Sequence, residues 1–336
     1  MQHHNSTTSH VSRPASPGSG AGGSGSAAST GLVGNSPAMT ALEVYLPKVA
    51  RSRATVLVTG ETGTGKERVA QAIHALSPRA AGPFVVVNCG ALPDTLMESE
   101  LFGHARGAFT GAVGAMRGRL VEADGGTLFL DEIGEMSLYG QAKLLRVLET
   151  HEVQPLGGGR AQRIDIRVVA ATNRDLENEV QAHRFRADLF YRLNVARLVI
   201  PPLRERPDDV ALLAAHVIAE FNHRDATAVE PPDPGLLAML TAHDWPGNVR
   251  ELRNVIEAVF IDPPAGRMGF EHLPPAFQSL FGRYHRNVPS EKSRLVEALE
   301  RTHWNKAEAA KSLNWSRMTL YRKLAKYDVD EGGTGV

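Results

Sequence analysis

The chain has 336 residues, 42% of them hydrophobic, and its 37 Lys+Arg balance 37 Asp+Glu. That length fits two domains or three small ones, the apolar content excludes a wholly disordered chain, and the zero net charge gives no global argument for a nucleic-acid, membrane or acidic partner. A single cysteine, Cys89, excludes an intrachain disulfide and a cysteine-based zinc cluster, which fits a reducing, cytoplasmic setting.

Residues 1–30 hold eight Ser, five Gly and four Ala, with one Arg and no acid. Such a segment cannot bury enough apolar surface to offset its ordering entropy, so 1–30 reads as a disordered tail. It has no apolar run of signal-peptide type. No stretch of the chain approaches the roughly 18 apolar residues of a spanning helix, so no membrane partner is expected.

Residues 31–205 alternate short β-rich runs with helical ones. Strands are predicted at 53–59, 84–88, 126–131, 166–172 and 195–200, with a helix over 67–76. Continuous apolar strands separated by helices predict an α/β fold whose parallel sheet is covered on both faces. From residue 206 the β signal stops. Helices predicted at 208–221, 234–243 and 248–260 suggest a helical lid over 206–267, and Pro274-Pro275 punctuates a linker over 268–289. Residues 290–327 form an all-α, basic unit with nine Lys/Arg against four Glu, and 328–336 is a short tail.

Gly60, Glu61, Thr62, Gly63, Thr64, Gly65, Lys66 and Glu67 follow the first strand and open a helix. That is the context of a phosphate-binding loop, in which backbone N–H groups and a helix N-terminus converge on phosphate and Lys66 reaches the β/γ-phosphates. Alone, the motif also fits a glycine-rich turn without ligand. Glu67 replaces the usual Ser/Thr ligand of Mg²⁺, which shifts that task to Thr64 or to acids elsewhere. The strand ending in Asp131 and Glu132 supplies them. Asp131 is expected to hold Mg²⁺ and Glu132 to orient and deprotonate the attacking water. Ala123, Asp124, Gly125, Gly126, Thr127, Leu128, Phe129 and Leu130, which lead into these acids, are assigned to the ATP site with them. An ordinary strand ending in an acidic turn is the alternative, and a P-loop 65 residues upstream argues against it.

Asn173 ends the next strand where the carboxyl edge of the sheet meets phosphate, as a water or γ-phosphate sensor or simply as a strand-end cap. In Trp245-Pro246-Gly247-Asn248-Val249-Arg250, Asn248 is a candidate helix cap. Arg250 is a cation in a first helical turn, which the helix dipole disfavours, so it calls for a phosphate or a salt-bridge partner. Arg186 and Arg192 lie six residues apart. They are candidate arginine fingers if the site lies between subunits, and otherwise a solvated helix face. No guanine-reading Asn-Lys-x-Asp motif occurs, which favours ATP. The thirteen histidines show no metal-ligand spacing.

Gly107, Ala108, Phe109, Thr110, Gly111 and Ala112 interrupt any helix with glycine and leave an aromatic among small residues. This suits a mobile loop with an exposed tip for gripping a partner, or a tight turn with Phe109 inside. Near the C-terminus, Asn305 caps a short helix and Asn314 suits its left-handed end. Ser316 caps a second helix that carries Arg317, Thr319, Arg322 and Lys323. Leu313, Leu320, Leu324 and Tyr327 form its inner stripe. The spacing over 305–324 is that of a helix-turn-helix with its second helix suited to the major groove. A basic hairpin packed on the rest of the chain is the alternative.

Taken together, these motifs resemble the bacterial sigma-54-dependent transcription activators, the enhancer-binding AAA+ P-loop ATPases, from about residue 31 to 267. The region 305–324 resembles the Fis-type helix-turn-helix found at the end of the same proteins. The family typically carries Gly-Lys-Glu at the P-loop, which accounts for Glu67, whereas Ala105 and Arg106 stand where Glu-Lys is common. The resemblance implies an activator that binds upstream double-stranded DNA and hydrolyses ATP with Mg²⁺. It implies that loop 107–112 contacts the sigma-54 RNA polymerase holoenzyme and that the closed promoter complex is remodelled to an open one. It further implies Asn88 as the switch partner of Glu132, Asn173 as sensor I, Arg250 as sensor II, and Arg186 and Arg192 as fingers acting in trans in a hexamer, homomeric or shared with a paralogue. Residues 1–33 leave no room for a receiver domain. The expectation is therefore a short, receiver-less form of the phage-shock or Hrp-regulator type, answering to a separate regulatory protein or to its own expression. The rival readings are an AAA+ DNA-binding regulator independent of sigma-54 and an AAA+ unfoldase or clamp-loader-like enzyme; the 107–112 loop argues against the first and the helix-turn-helix against the second.

Overall fold

The computed structural model describes residues 30–108, 113–285, 291–302, 304–313, 315–327 and 329. The tails expected at 1–30 and 328–336 (apart from residues 30 and 329), Phe109 to Ala112 of the partner loop, and the Asn314 cap lie outside the described residues.

The first half builds the sheet and its cover: α1 (Pro37–Arg51), β1 (Val56–Thr59), α2 (Lys66–Ala75), β2 (Phe84–Asn88) and α3 (Asp94–Phe102). A short hairpin, β3 (Gly103–His104) and β4 (Met116–Arg117), and α4 (Arg119–Glu122) precede β5 (Thr127–Asp131) and α5 (Leu138–Thr150). A second hairpin, β6 (Glu152–Val153) and β7 (Gln162–Arg163), leads to β8 (Arg167–Thr172), α6 (Leu176–Gln181), α7 (Ala187–Leu193) and β9 (Ala196–Val199). The five long strands form one parallel sheet in the order β2-β5-β8-β1-β9.

Period-two alternation sorts the side chains of these strands onto two faces. Leu57, Leu128, Leu130, Val168 and Ala170 pack with α3, α5 and α7 on one face. Val56, Val58, Phe129, Val169, Ala171 and Leu198 pack with α1 and α2 on the other. Both layers are buried, as the unbroken apolar runs predict. Arg167 is a charged residue buried within β8, 3% exposed. Its guanidinium donates to the carbonyls of Val49 and Ala50 at the end of α1, where the helix dipole favours a cation.

The lid is α8 (Asp208–Asp225), α9 (Pro234–Ala242), α10 (Asn248–Val259) and α11 (Pro275–His285). The last helix corrects the linker expected over 268–289. Met268, Leu273 and Phe281 are buried in one cluster with Leu236, Trp245 and Leu252. Pro275 is the first residue of α11, a position where its missing N–H costs no helical bond, so the proline pair starts a helix here.

The C-terminal unit is α12 (Glu291–Arg301), α13 (Lys306–Ser312) and α14 (Arg317–Tyr327) around Leu295, Leu299, Ala309, Leu320 and Leu324. Asn305 caps α13 by accepting from Ala307 N and Glu308 N. Ser316 Oγ accepts from Thr319 N at 3.1 Å and caps α14.

Candidate nucleotide site and its lid

The P-loop turns at the carboxyl edge of β1, with Gly63 and Gly65 at φ of 80° and 103°, a region that strongly favours glycine. A Cβ on Gly63 would lie 2.2 Å from the Gly247 carbonyl oxygen, so glycine there also permits the lid to touch the loop. Lys66 opens α2 and is 7% exposed. Its Nζ donates to Gly60 O at 3.0 Å and Glu61 O at 3.3 Å, and stands 3.9 Å from Glu132 Oε1. Burial lowers its pKa from the ordinary lysine value, Arg250 adds to that, and Glu132 and Asp131 oppose it. Thr64 is buried and its Oγ1 donates to Glu61 O at 2.8 Å. Glu67 is not gathered in; it is exposed and accepts from Gln71 one turn on.

The acids sit at the same edge. Register pairs Asn88 with Asp131 across β2 and β5. Glu132 follows in the left-handed region, φ 51°, uncommon for a non-glycine residue. Asp131 Oδ1 accepts from Glu132 N at 3.0 Å. Asn88 Oδ1 accepts from Gly90 N at 2.9 Å, closing its own turn. Cys89 behind it is 3% exposed. Burial, reinforced by Asp131 and Glu132, pushes its thiol up to about 12, which agrees with a packed residue rather than a reactive one. At the end of β8, Asn173 Nδ2 donates to Thr62 Oγ1 at 3.0 Å. From the lid, Arg250 N donates to Gly63 O at 3.3 Å. Lys66, Asp131, Glu132, Asn173 and Arg250 therefore converge from four separate stretches of chain.

Other expected residues do not join them. Thr127 pairs with Arg167, whereas Thr59 beside the P-loop pairs with Thr172. The offset from 167 to 172 along β8 is about 16 Å at ~3.3 Å per residue. Ala123, Asp124, Gly125, Gly126 and Thr127 thus lie at the amino edge of the sheet. There Asp124 accepts from Asp165 N, and Thr127 Oγ1 meets His74 Nδ1 at 2.9 Å. Leu128, Phe129 and Leu130 are fully buried core. The segment supports Asp131 and does not line the site. Arg186, just before α7, and Arg192 on it are exposed; Arg186 pairs with Asp188 at 2.7 Å and Arg192 donates to Leu148 O at 3.0 Å.

Asn248 is not the cap of α10. It is the first helical residue, fully buried, at φ 51°. Its Nδ2 donates to Thr62 O and Glu61 Oε2, and its Oδ1 accepts from Leu203 N. Sequence reasoning missed Arg204 and Arg206, whose only local signal is their place between sheet and lid. Arg204 pairs with Glu61, and buried Arg206 donates to Thr64 O at 3.3 Å. Beside the loop a cavity of about 140 Å³ is lined by Leu32, Val33, Thr64, Val217 and Val249, among others.

The 107–112 loop springs from the β3–β4 hairpin. Ala105 N donates to Leu156 O and Leu156 N to Gly103 O, both at 2.9 Å, tying its base to the segment after β6. Gly107 and Ala108 are the loop residues described. On α14, Ser316, Arg317 and Arg322 are exposed and Thr319 and Lys323 half-buried, with Lys323 Nζ 5.4 Å from the Trp315 ring centroid.

Three family models match in succession: the sigma-54 interaction domain over residues 32–199, the AAA+ ATPase lid domain over 204–288 and the Fis family of bacterial regulatory proteins over 289–327. The transcriptional regulatory protein ZraR of Escherichia coli is 47% identical over 306 residues, covering 89% of this chain and 69% of that protein. The chain belongs to the sigma-54-dependent transcription activators. The regulatory protein AtoC of Escherichia coli is 46% identical over 310 residues, covering 88% of this chain and 67% of its own length. The structure of NtrX from Brucella abortus in complex with ATP superposes with a TM-score of 0.66 at 35% identity, covering 89% of this chain and 69% of that one. Its ADP complex gives a TM-score of 0.67 at 33% identity, covering 90% and 70%.

As a member of this family, the activator is an AAA+ ATPase with a Fis-type helix-turn-helix. Its P-loop fits a nucleotide triphosphate: two left-handed glycines, a buried lysine and a helix N-terminus face one point. For a divalent cation it offers hard oxygen donors, the Asp131 carboxylate and the Thr64 hydroxyl. Among the described residues no group of three His, Cys, Asp or Glu converges as a self-sufficient metal cage. Among the described residues, no helix is long and apolar enough to cross a membrane.

Proposed function

We propose that this activator binds upstream double-stranded DNA through Ser316, Arg317, Thr319, Arg322 and Lys323. In the cytoplasm it then uses ATP hydrolysis to drive its 107–112 loop against the sigma-54 RNA polymerase holoenzyme, converting a closed promoter complex to an open one. The observation that carries the reading is the convergence of Lys66, Asp131, Glu132, Asn173 and Arg250 at one edge of the sheet. The cavity beside the loop takes the adenine. Lys66 holds the β/γ-phosphates once it leaves the Gly60 and Glu61 carbonyls. Asp131 and Thr64 would hold Mg²⁺, which would supply positive charge against the phosphates. Glu132 orients the attacking water and takes its proton, with Asn173 placing that water and Arg250 reporting the γ-phosphate. Asn88 partners Glu132 in a second state of the site. Arg186 and Arg192 are exposed in their own subunit, and in a hexamer they leave Asp188 and the Leu148 carbonyl to enter a neighbour's site. The bond of Ala105 to Leu156 lets the segment after β6 move the loop.

The test is sigma-54-dependent open-complex formation in vitro with ATP. The intact protein is expected to open the promoter, and Thr110→Ala to hydrolyse ATP yet fail to open it. Hydrolysis without any open complex would favour a regulator independent of sigma-54, and full activation by Thr110→Ala would remove the loop from the mechanism.

A further inference from the structure

Glu61 sits in the P-loop, but its carboxylate turns away to the lid. It accepts from Arg204 Nη2 at 2.6 Å and Nη1 at 2.8 Å, a fork-to-fork pair. Oε2 also accepts from Asn248 Nδ2 at 3.2 Å. Arg204 lies in the single turn Leu203–Glu205, which joins the sheet to the lid, and Asn248 opens α10. The circuit closes on itself. Asn248 Nδ2 donates to Thr62 O at 3.0 Å, and its Oδ1 accepts from Leu203 N at 2.7 Å, next to Arg204.

The Arg204 arm alone would count for little, since both side chains are 41% exposed and exposed pairs are weak. The Asn248 arm differs. That side chain is fully buried with its amide used at both ends, and its backbone is held at φ 51°, so the ring has one geometry. Arg204 and Asn248 together hold the Glu61 pKa below the ordinary carboxylate value, so the charge persists at neutral pH. Two residues past Asn248, Arg250 N donates to Gly63 O, and Gly247 O fills the space a side chain on Gly63 would need. The ring is thus the frame that sets where Arg250 stands relative to the phosphate loop.

We infer that Glu61 is a positioning residue, a clasp that locks the hinge turn and the Asn248–Arg250 turn of the lid onto the P-loop, so that the lid reads the terminal phosphate from a fixed place. The inference rests on the P-loop being the ATP site.

Equilibrium affinities for ATP and ADP are measured on the full chain carrying Glu132→Gln to prevent turnover. Glu61→Gln and Arg204→Ala are each expected to weaken ATP about five- to tenfold, because opening the ring at either place releases the lid, and ADP less than twofold. The double variant should bind ATP no more weakly than either single one, because both break the same ring. Arg204→Lys, which keeps the charge but not the fork, should lose an intermediate amount, and it stands in if Glu61→Gln proves unfolded by its melting curve. Unchanged ATP affinity, equal weakening of ATP and ADP, or losses that multiply in the double variant would each overturn the clasp. A parent chain that binds neither nucleotide would instead overturn the ATP reading beneath it.

Discussion

Lys66 and Glu132 face each other across 3.9 Å, and their separate tasks set what single substitutions should do. Lys66→Ala should abolish both ATP binding and hydrolysis, while Glu132→Gln should keep binding and lose turnover by about 10²–10⁴, the usual worth of general-base help. A filter-binding assay beside a phosphate-release assay separates the two; a Glu132→Gln protein that still turns over at the parent rate would take the base role from this residue. The P-loop and the two acids were legible because strand, glycine spacing and acid pair are local patterns. Asn248 was not. As a polar residue ahead of a helical run it looked like a cap, and only the approach of Glu61 and Leu203 makes it a strut. Ala123 to Leu130 misled in the opposite way. They adjoin Asp131 in sequence, but a strand carries its two ends to opposite edges of the sheet.

Among the elements, α11 departs most from its sequence signal. Two adjacent prolines read as a break, yet Phe281 is fully buried against Trp245 and His243. Phe281→Ala should therefore destabilise the lid by about 3–5 kcal/mol, the cost of emptying a buried aromatic site. Urea unfolding, with hydrogen exchange over residues 208–259 to locate the loss, would read it; a change under about 0.5 kcal/mol, as for ordinary surface sites, would return α11 to a tether. The sheet strands were read nearly to their ends. A buried parallel strand is a continuous apolar run, whereas α11 is recognised only by what it packs on.

At the level of the whole molecule, Arg186 and Arg192 contact Asp188 and the Leu148 carbonyl within one subunit, so their proposed role needs a second copy. Chains carrying Arg192→Ala and chains carrying Lys66→Ala should each be inactive. Mixed together they should regain activity at about a quarter of the sites, those where an intact P-loop meets an intact finger across a heterologous interface. No regain on mixing, with assembly intact, would leave Arg192 a structural residue. Zero net charge likewise concealed an uneven whole: nine Lys/Arg against four Glu fall in residues 290–327, so DNA affinity should resist low salt and fall as salt rises. By itself the sequence determined the class of fold, the phosphate loop, its acids and the C-terminal helix-turn-helix, because each is written in contiguous residues whose spacing matches a local geometry. Only the tertiary structure decided which of these meet. The lid belongs to the site because Asn248, Arg204 and Arg250 close on the P-loop from positions more than 140 residues away in the chain, and no local pattern encodes a hydrogen bond across that distance.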